Sequence, residues 1–112
     1  VESQVIDVEV ANTICGGDQG RLCLLASTLS EEASDLMDKI DQAIDCCDWD
    51  ALHRHAHTLK GSAAVFGGAD VVEAARRLVV QSKDGDRELI GPLVRRLRME
   101  VTRLQDALAA LL

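Results

Sequence analysis

The middle of the 112-residue sequence contains a set of residues at helical spacing: two histidines, a lysine and two very small residues. Each residue of an α-helix turns the chain by about 100°, so residues three and four apart share a face. On a helix through this segment, one flank lies about 80° to 180° from the apolar stripe. This histidine flank consists of five residues: His53, His57, Lys60, Gly61 and Ala64.

Gly61 is the least expected member of the flank, because it falls in the interior of the predicted helix. Glycine there costs about 0.5 to 1 kcal/mol relative to alanine. Such a cost suggests that something must approach the backbone closely, one turn after His57 and beside Lys60. A larger side chain would hinder access to the imidazole. Close packing between helices is the other common reason for such a glycine.

The flank favours covalent carriage of a phosphoryl group on His57. A neutral histidine near physiological pH has one unprotonated ring nitrogen, which makes it a nucleophile. Lys60 lies on the same face and can screen phosphoryl oxygens as a point charge. Gly61 lets a partner close over the site and exclude water, so that the phosphoryl group passes to the partner instead of being hydrolysed.

Two other interpretations of the flank stay open. A histidine beside a lysine on a helix is commonly a solvated surface pair, and the chain would then be a non-catalytic helical interaction domain. His53 and His57 have the i, i+4 spacing of zinc ligands, but no glutamate follows His53 and no acid or cysteine in the segment completes a site. A zinc protein or enzyme is therefore the less favoured reading, and we expect no metal in the domain itself.

The elements that position the flank are all predicted to be helices. Apolar residues recur at steps of three and four, and the breaks between them fall mainly at glycines and aspartates. This periodicity is typical of amphipathic helices. Five helices are expected: Ile6 to Cys15, Asp18 to Cys47, Trp49 to Phe66, Ala69 to Ser82 and Asp86 to Leu111.

Caps and breakers refine these helices. Asp7 or Ser3 is expected to cap the first helix and Asp48 the third, because their side-chain oxygens accept free backbone N–H groups. Ser30 is a possible cap inside the second helix, but the apolar stripe continues across it, so we favour one long helix. Pro92 must lie in the first turns of the last helix or kink it.

Length and composition indicate a single helical domain, residues 1–112. Apolar residues make up 47% and charged residues 28%, which is typical of a globular chain. Trp49 and Phe66 are the only residues of the Phe, Trp and Tyr types, so aliphatic side chains must build the core, which favours helices over strands. Four long helices with short connections predict an all-α, antiparallel four-helix bundle with a short accessory N-terminal helix.

The net charge of −7 argues against nucleic acid or an anionic membrane surface as a partner. The charge is uneven, with two basic and twelve acidic side chains in residues 1–50 and ten basic and seven acidic in residues 51–112. No apolar run approaches the roughly 20 residues of a membrane span. We therefore expect a cytoplasmic domain without direct membrane contact.

Four cysteines and a third histidine lie outside the flank. His55 falls at the edge of the apolar stripe and is expected to be packed or hydrogen-bonded. The cysteines lack the CxxC spacing of a zinc or redox site, and we interpret them as small apolar residues in a reducing cytosol. They are Cys15, Cys23, Cys46 and Cys47.

Residues 56–67 read A-H-T-L-K-G-S-A-A-V-F-G, which resembles the core motif of histidine-containing phosphotransfer (HPt) domains, A-H-x-L-K-G-s-a-x-x-x-G. Residues 43–52 resemble the acidic, tryptophan-containing lead-in of that family, and residues 69–78 resemble its following helix. The flanking helices fit in length and order. The resemblance therefore covers nearly the whole chain.

The resemblance implies a four-helix bundle in which His57 is phosphorylated on its outer ring nitrogen. The phosphoryl group would pass to and from the aspartate of response-regulator receiver domains. By the same resemblance, Lys60 supports the phosphoryl group and Gly61 leaves room for the receiver. His53, Ala64 and Gln81 are predicted to contact the partner. Gln81 is also a possible counterpart of the polar residue that hydrogen-bonds the histidine in some relatives.

The resemblance further implies a carrier and not an enzyme, since such domains have no nucleotide pocket and no cofactor of their own. Mg²⁺ is expected in the partner receiver domain. A kinase dimerisation helix, the other common location of a phosphorylated histidine, has an acidic residue where this chain has Thr58. We expect an isolated monomer. We also expect the C-terminal module of a hybrid sensor kinase, at the cytoplasmic end of a membrane-bound protein, which the start at Val1 and the helical ending at Leu112 would allow.

Overall fold

The computed structural model describes residues 5–112, and within them every regular element is an α-helix. The prediction of an all-α fold is confirmed, and each helix begins and ends within two residues of its predicted bounds. The helices are α1 (Val8–Ile14), α2 (Gln19–Asp45), α3 (Trp49–Ala64), α4 (Ala69–Ser82) and α5 (Arg87–Ala109).

Aspartate side chains cap four of these helices at their N-termini: Asp7, Asp18, Asp48 and Asp86. Each carboxylate accepts a hydrogen bond from a backbone N–H in the first turn, which offsets the unpaired donors there. For α3, the Asp48 carboxylate accepts from the Ala51 N–H at 3.1 Å. The predicted caps Asp7 and Asp48 are thus confirmed, whereas Ser3 lies outside the described residues.

The two longest helices are continuous. α2 runs without a break through Ser30, whose carbonyl oxygen accepts a hydrogen bond from the Gln105 side chain of α5 at 3.0 Å. Pro92 lies inside α5, within its first two turns, as predicted. Both helices therefore extend along the bundle. α2 packs on α3, and α5 packs on α4.

The four long helices form a closed ring. α2 packs on α3 and α5, and α4 packs on α3 and α5. Helices joined by such short connections run antiparallel. α1 packs on α2, and the Asp7 backbone N–H donates to the Phe66 carbonyl at 2.6 Å. The accessory helix is thereby tied to the C-terminal end of α3.

The core fixes one face of α3. Leu52, Leu59 and Phe66 have no solvent exposure, and burying each such side chain contributes about 1.5 to 3 kcal/mol. At the end of the helix, Gly67 has φ +64°, and a Cβ there would lie 2.6 Å from the Asp7 Cβ. Only glycine fits this turn without strain. The rotation of α3 about its axis is therefore set by the core.

A buried carboxylate links α4 to α5. Glu100 is 1% exposed, and it contacts Arg103 at 3.1 Å and Arg96 at 3.3 Å. Arg103 also lies 3.7 Å from Asp70 of α4. Buried charges persist only when they are paired, so this network constrains how the two helices pack.

The four cysteines, interpreted from the sequence as small apolar residues, differ in their burial. Cys15 is buried and Cys23 is half-buried, but Cys46 and Cys47 are exposed, and all four are free. The reason is that α2 ends at Asp45, which leaves both residues in the connecting turn. Cys47 adopts φ 54° there, and its sulfur accepts a hydrogen bond from Arg87 at 2.7 Å.

Candidate functional site

The histidine flank lies on the surface of α3, away from the core. The buried stripe of α3 consists of Ala51, Leu52, Ala56, Leu59 and Ala63. His57, Gly61 and Ala64 are exposed, while His53 and Lys60 are half-buried. The predicted separation of the two faces is thus present, and the five residues of the flank form one surface.

His57 has no hydrogen bond to any residue in the described part of the chain. Its nearest aromatic neighbour is His53, one turn earlier. The centroids of the two rings are 6.4 Å apart, and the ring planes are within 18° of parallel. The imidazole of His57 is therefore accessible from solvent, with its ring nitrogens unoccupied by residues 5–112.

His53, in contrast, is held against the neighbouring helix. Its Nδ1 lies 3.4 Å from the hydroxyl oxygen of Ser82 on α4. Ser82 is 1% exposed and donates its hydroxyl hydrogen to the Val79 carbonyl at 2.7 Å. The flank therefore faces α4 on one side, and one of its two imidazoles is fixed there.

Gly61 has no packing role within the described chain. An ideal Cβ built on this residue meets no other atom within 4 Å, apart from its immediate surroundings in the helix. Close helix–helix packing, which the sequence left open as a reason for this glycine, is therefore not the reason. The space above Gly61 opens to solvent beside His57.

Lys60 and Ala64 complete the flank. Lys60 forms no ion pair with any carboxylate of residues 5–112, so its charge is not neutralised by those residues. On the opposite side of α3, Ser62 donates a hydrogen bond to the Glu32 side chain of α2 at 2.9 Å. α3 is thus held by α2 on one side and by α4 on the other, and the flank lies towards α4.

Gln81 does not hydrogen-bond His57. Its Oε1 is buried and has no hydrogen-bond partner among the described residues. At about 100° per residue, Gln81 and Ser82 project to opposite sides of Leu78. Because Ser82 contacts α3, Gln81 lies on the side of α4 that faces α5. The suggested role of Gln81 as a hydrogen-bonding partner of the histidine therefore does not match this geometry.

Most arginines of the basic half interact with carboxylates of the same chain. Glu73 accepts hydrogen bonds from Arg76 and Arg77, and these bonds lower the pKa of Glu73 to about 2. Arg98 contacts Asp41 of α2. These arginines are therefore partly neutralised, whereas Lys60 is not paired by the described residues.

His55 lies on the α2 side of α3 and is half-buried. Burial lowers the pKa of its imidazole, and the nearby positive charges of Arg54 and Lys39 lower the pKa further. The side chain is packed, as predicted from its place at the edge of the core stripe. It does not belong to the histidine flank.

Residues 5–112 form a groove between two helices but no candidate metal site. A groove of about 390 Å³ lies between α4 and α5, on the side of α4 that faces away from His53. No group of three or more histidine, cysteine or acidic residues in the described chain is arranged to hold a metal ion. No helix in that part of the chain is long and apolar enough to span a membrane.

Ser82 is the residue of this site that the sequence did not single out. It occupies a buried position of α4, in register with Val71, Ala75 and Leu78. A polar side chain on an otherwise apolar stripe usually has a specific hydrogen-bond partner. That signal was available in the sequence, but the identity of the partner depends on how α3 and α4 pack.

The sequence and the fold each match a known family or structure. The Hpt domain family matches residues 25–107, and the chain belongs to this family. The fold is similar to that of histidine-containing phosphotransfer protein B from Pseudomonas aeruginosa PAO1, with a TM-score of 0.88 and 16% identity over 97% of this chain and 95% of that chain. At this identity, the similarity establishes the fold alone. No curated protein matches the sequence.

Proposed function

We propose that this domain is a phosphorelay intermediate in which His57 accepts a phosphoryl group from one receiver aspartate and passes it to another. Membership of the Hpt family supports a phosphotransfer carrier in two-component signalling. The observation that carries the assignment of the residue is the free, exposed imidazole of His57 beside the open space over Gly61. The family's core motif falls on the same residues.

The transfer exchanges one bond to phosphorus for another. The lone pair of the outer ring nitrogen of neutral His57 attacks the phosphorus of the receiver's aspartyl phosphate. An N–P bond forms as the acyl O–P bond breaks, and its electron pair leaves with the carboxylate. The imidazolium then releases its other ring proton to water. Transfer to the second receiver reverses these changes and returns that proton.

Lys60 and Gly61 serve this transfer in different ways. The Lys60 ammonium lies one turn from His57 and screens the phosphoryl oxygens. Gly61 lets the receiver surface approach the helix backbone, so that water is excluded and in-line transfer is possible. His53 and Ala64 border the same approach and are proposed to contact the receiver.

The charge distribution fits an acidic receiver site. The flank belongs to the half of the chain with ten basic and seven acidic residues, whereas residues 1–50 carry twelve acidic and two basic ones. An anionic phosphoryl group and an acidic pocket therefore meet the less negative side of the molecule. We expect Mg²⁺ to be supplied by the receiver, where metal ions neutralise charge in phosphoryl transfer.

The competing interpretation is a non-catalytic interaction domain whose histidine is never modified. A buried His57 would have favoured it, but the residue is exposed. The zinc alternative predicts stoichiometric zinc in the purified protein. We expect elemental analysis of protein purified without an affinity tag to find none, and one zinc per chain would support that alternative.

The larger setting of the domain stays a prediction. If it is the C-terminal module of a hybrid sensor kinase, an antibody against it should detect a native protein far larger than 12.1 kDa in the membrane fraction. The antibody should reach this protein from the cytoplasmic side of the membrane. A free-standing 12.1 kDa protein would overturn that prediction. Gel filtration should show a monomeric isolated domain.

Phosphotransfer itself is tested by incubating the domain with a receiver phosphorylated by acetyl phosphate and Mg²⁺. We expect the domain to gain a phosphate that is labile in acid and stable in alkali, as an N–P bond is, while the receiver loses its acyl phosphate. A second receiver should then discharge the domain. Across a panel of receiver domains, no transfer to the domain would refute the proposed function.

A further inference from the structure

The structure leaves His57 without a hydrogen-bonding partner within the described chain, although transfer requires its ring to be oriented. The residue suggested for that task, Gln81, lies on the other side of α4. His53 is the side chain that the structure places against the ring of His57, with 6.4 Å between centroids and 18° between planes. That separation and near-parallel arrangement are within the range of interacting aromatic pairs.

Ser82 determines which nitrogen of His53 carries the proton. The hydroxyl has one hydrogen, and the 2.7 Å contact to the Val79 carbonyl uses it. Only lone pairs of the oxygen are then available to His53 Nδ1 at 3.4 Å, so Nδ1 must be the donor. For a neutral ring, this arrangement favours the Nδ1–H tautomer of His53, with the lone pair on Nε2.

The same contact fixes the ring of His53 in space. Ser82 is 1% exposed and lies on the buried stripe of α4, so its own position is set by the core. A half-buried imidazole bonded to such a residue loses little further freedom when a partner binds. It therefore lies as a fixed ring on one side of the exposed ring of His57.

We propose that His53, held by Ser82, is a positioning residue that orients the His57 ring for phosphoryl transfer. This inference rests on the proposed function of His57. It assigns the task of orienting His57 to a histidine one turn earlier. A hydrogen bond to His57 would otherwise serve that task. The bonds made and broken in the transfer are unchanged.

The tautomer gives a direct test that does not depend on phosphorylation. Long-range ¹H–¹⁵N NMR spectra of the neutral imidazoles should show His53 as Nδ1–H in the wild-type domain. In Ser82→Ala, which removes the acceptor, His53 should revert to the Nε2–H form that predominates in free histidine. A wild-type His53 in the Nε2–H form would overturn the inference.

The second test measures the rate of transfer from a phosphorylated receiver that labels the wild-type domain. Because loss of orientation slows transfer between bound groups, His53→Ala should be about tenfold slower than wild type. Ser82→Ala keeps the imidazole of His53 but removes its hydrogen-bonding partner, so it should also be slower than wild type. Circular dichroism and the melting temperature of each variant verify that the bundle is intact.

The outcomes separate this inference from the proposed function. Labelling of His53→Ala at the wild-type rate would overturn the positioning role and leave phosphorylation of His57 standing. A wild-type rate in Ser82→Ala would also overturn it, since the contact with Ser82 would then not be what positions the ring of His53. Failure of the wild-type domain to accept phosphate from any receiver would instead refute the proposed function.

Discussion

The imidazole rings of His53 and His57 lie one helical turn apart, with their centroids 6.4 Å from each other and their planes within 18° of parallel. Only His53 is tied to the neighbouring helix, through Ser82. One ring is thus fixed by the fold, and the other is left accessible. A bundle with few aromatics and an aliphatic core serves here as a rigid support for one exposed side chain.

Substitution at Gly61 should raise stability and lower function. Because a Cβ there meets open space, Gly61→Ala should increase the free energy of unfolding by about 0.5 to 1 kcal/mol. Gly61→Gln should keep the helicity of wild type but slow transfer from a phosphorylated receiver by about tenfold or more, because the longer side chain blocks close approach.

Ala109→Gln is the matched control for Gly61→Gln, since Ala109 is an exposed position at the end of α5. It introduces the same side chain at an exposed position on a different helix. Its transfer rate should equal that of wild type. A Gly61→Gln variant that also transfers at the wild-type rate would remove the argument that a receiver closes over this residue.

Replacement of Lys60 should weaken transfer without unfolding the domain. A partly exposed charge near a phosphoryl group contributes on the order of 1 kcal/mol, so Lys60→Gln should slow transfer roughly fivefold at low salt. The difference from wild type should shrink as salt screens the charge. Lys83→Gln, on the exposed cap of α4, should have little effect. Equal effects of both variants would mean that only net charge matters.

His55 should make stability depend on pH. Burial and the charges of Arg54 and Lys39 lower its pKa from the ordinary 6.5, so the unfolded chain binds its proton more readily than the folded one. The free energy of unfolding is then highest above about pH 6.5 and falls as the pH drops towards the lower folded pKa.

His55→Gln should accordingly flatten the pH dependence of stability between about pH 7 and 5, as measured by urea unfolding at a series of pH values. His57→Gln is the matched control, since that ring is exposed and unpaired within the described residues. An unchanged slope in His55→Gln would show that burial of this imidazole does not affect folding.

Gly67 should respond to substitution in the opposite way from Gly61. Its φ is +64°, and an added Cβ would lie 2.6 Å from the Asp7 Cβ. Gly67→Ala should therefore lower the free energy of unfolding by about 1 to 3 kcal/mol, as measured by chemical denaturation. A stability equal to that of wild type would mean that α1 shifts freely to accommodate the new side chain.

The helices and their caps could be predicted because their signals are local. The regular spacing of apolar residues predicted that α2 continues through Ser30. The aspartate before α3 predicted where α3 begins. The face of α3 that carries His57 also followed from spacing within one helix. Family resemblance, and not spacing, supplied the receiver as partner.

Contacts between helices could not be predicted in the same way. Whether Gln81 or Ser82 faces α3 depends on the rotation of α4 about its axis, and a step of one residue changes the side by about 100°. The exposure of Cys46 and Cys47 depended on where α2 ends, and helix ends are less sharply encoded than helix centres. Helix packing decided the first point, and the end of α2 decided the second.

The most direct test uses the three histidines of the chain. Each is replaced by glutamine in turn, and each variant is incubated with a phosphorylated receiver that labels the wild-type domain. If His57 carries the phosphoryl group, only His57→Gln loses the acid-labile label completely, while His55→Gln is labelled like wild type and His53→Gln is labelled more slowly. A label that persists in His57→Gln would contradict this assignment.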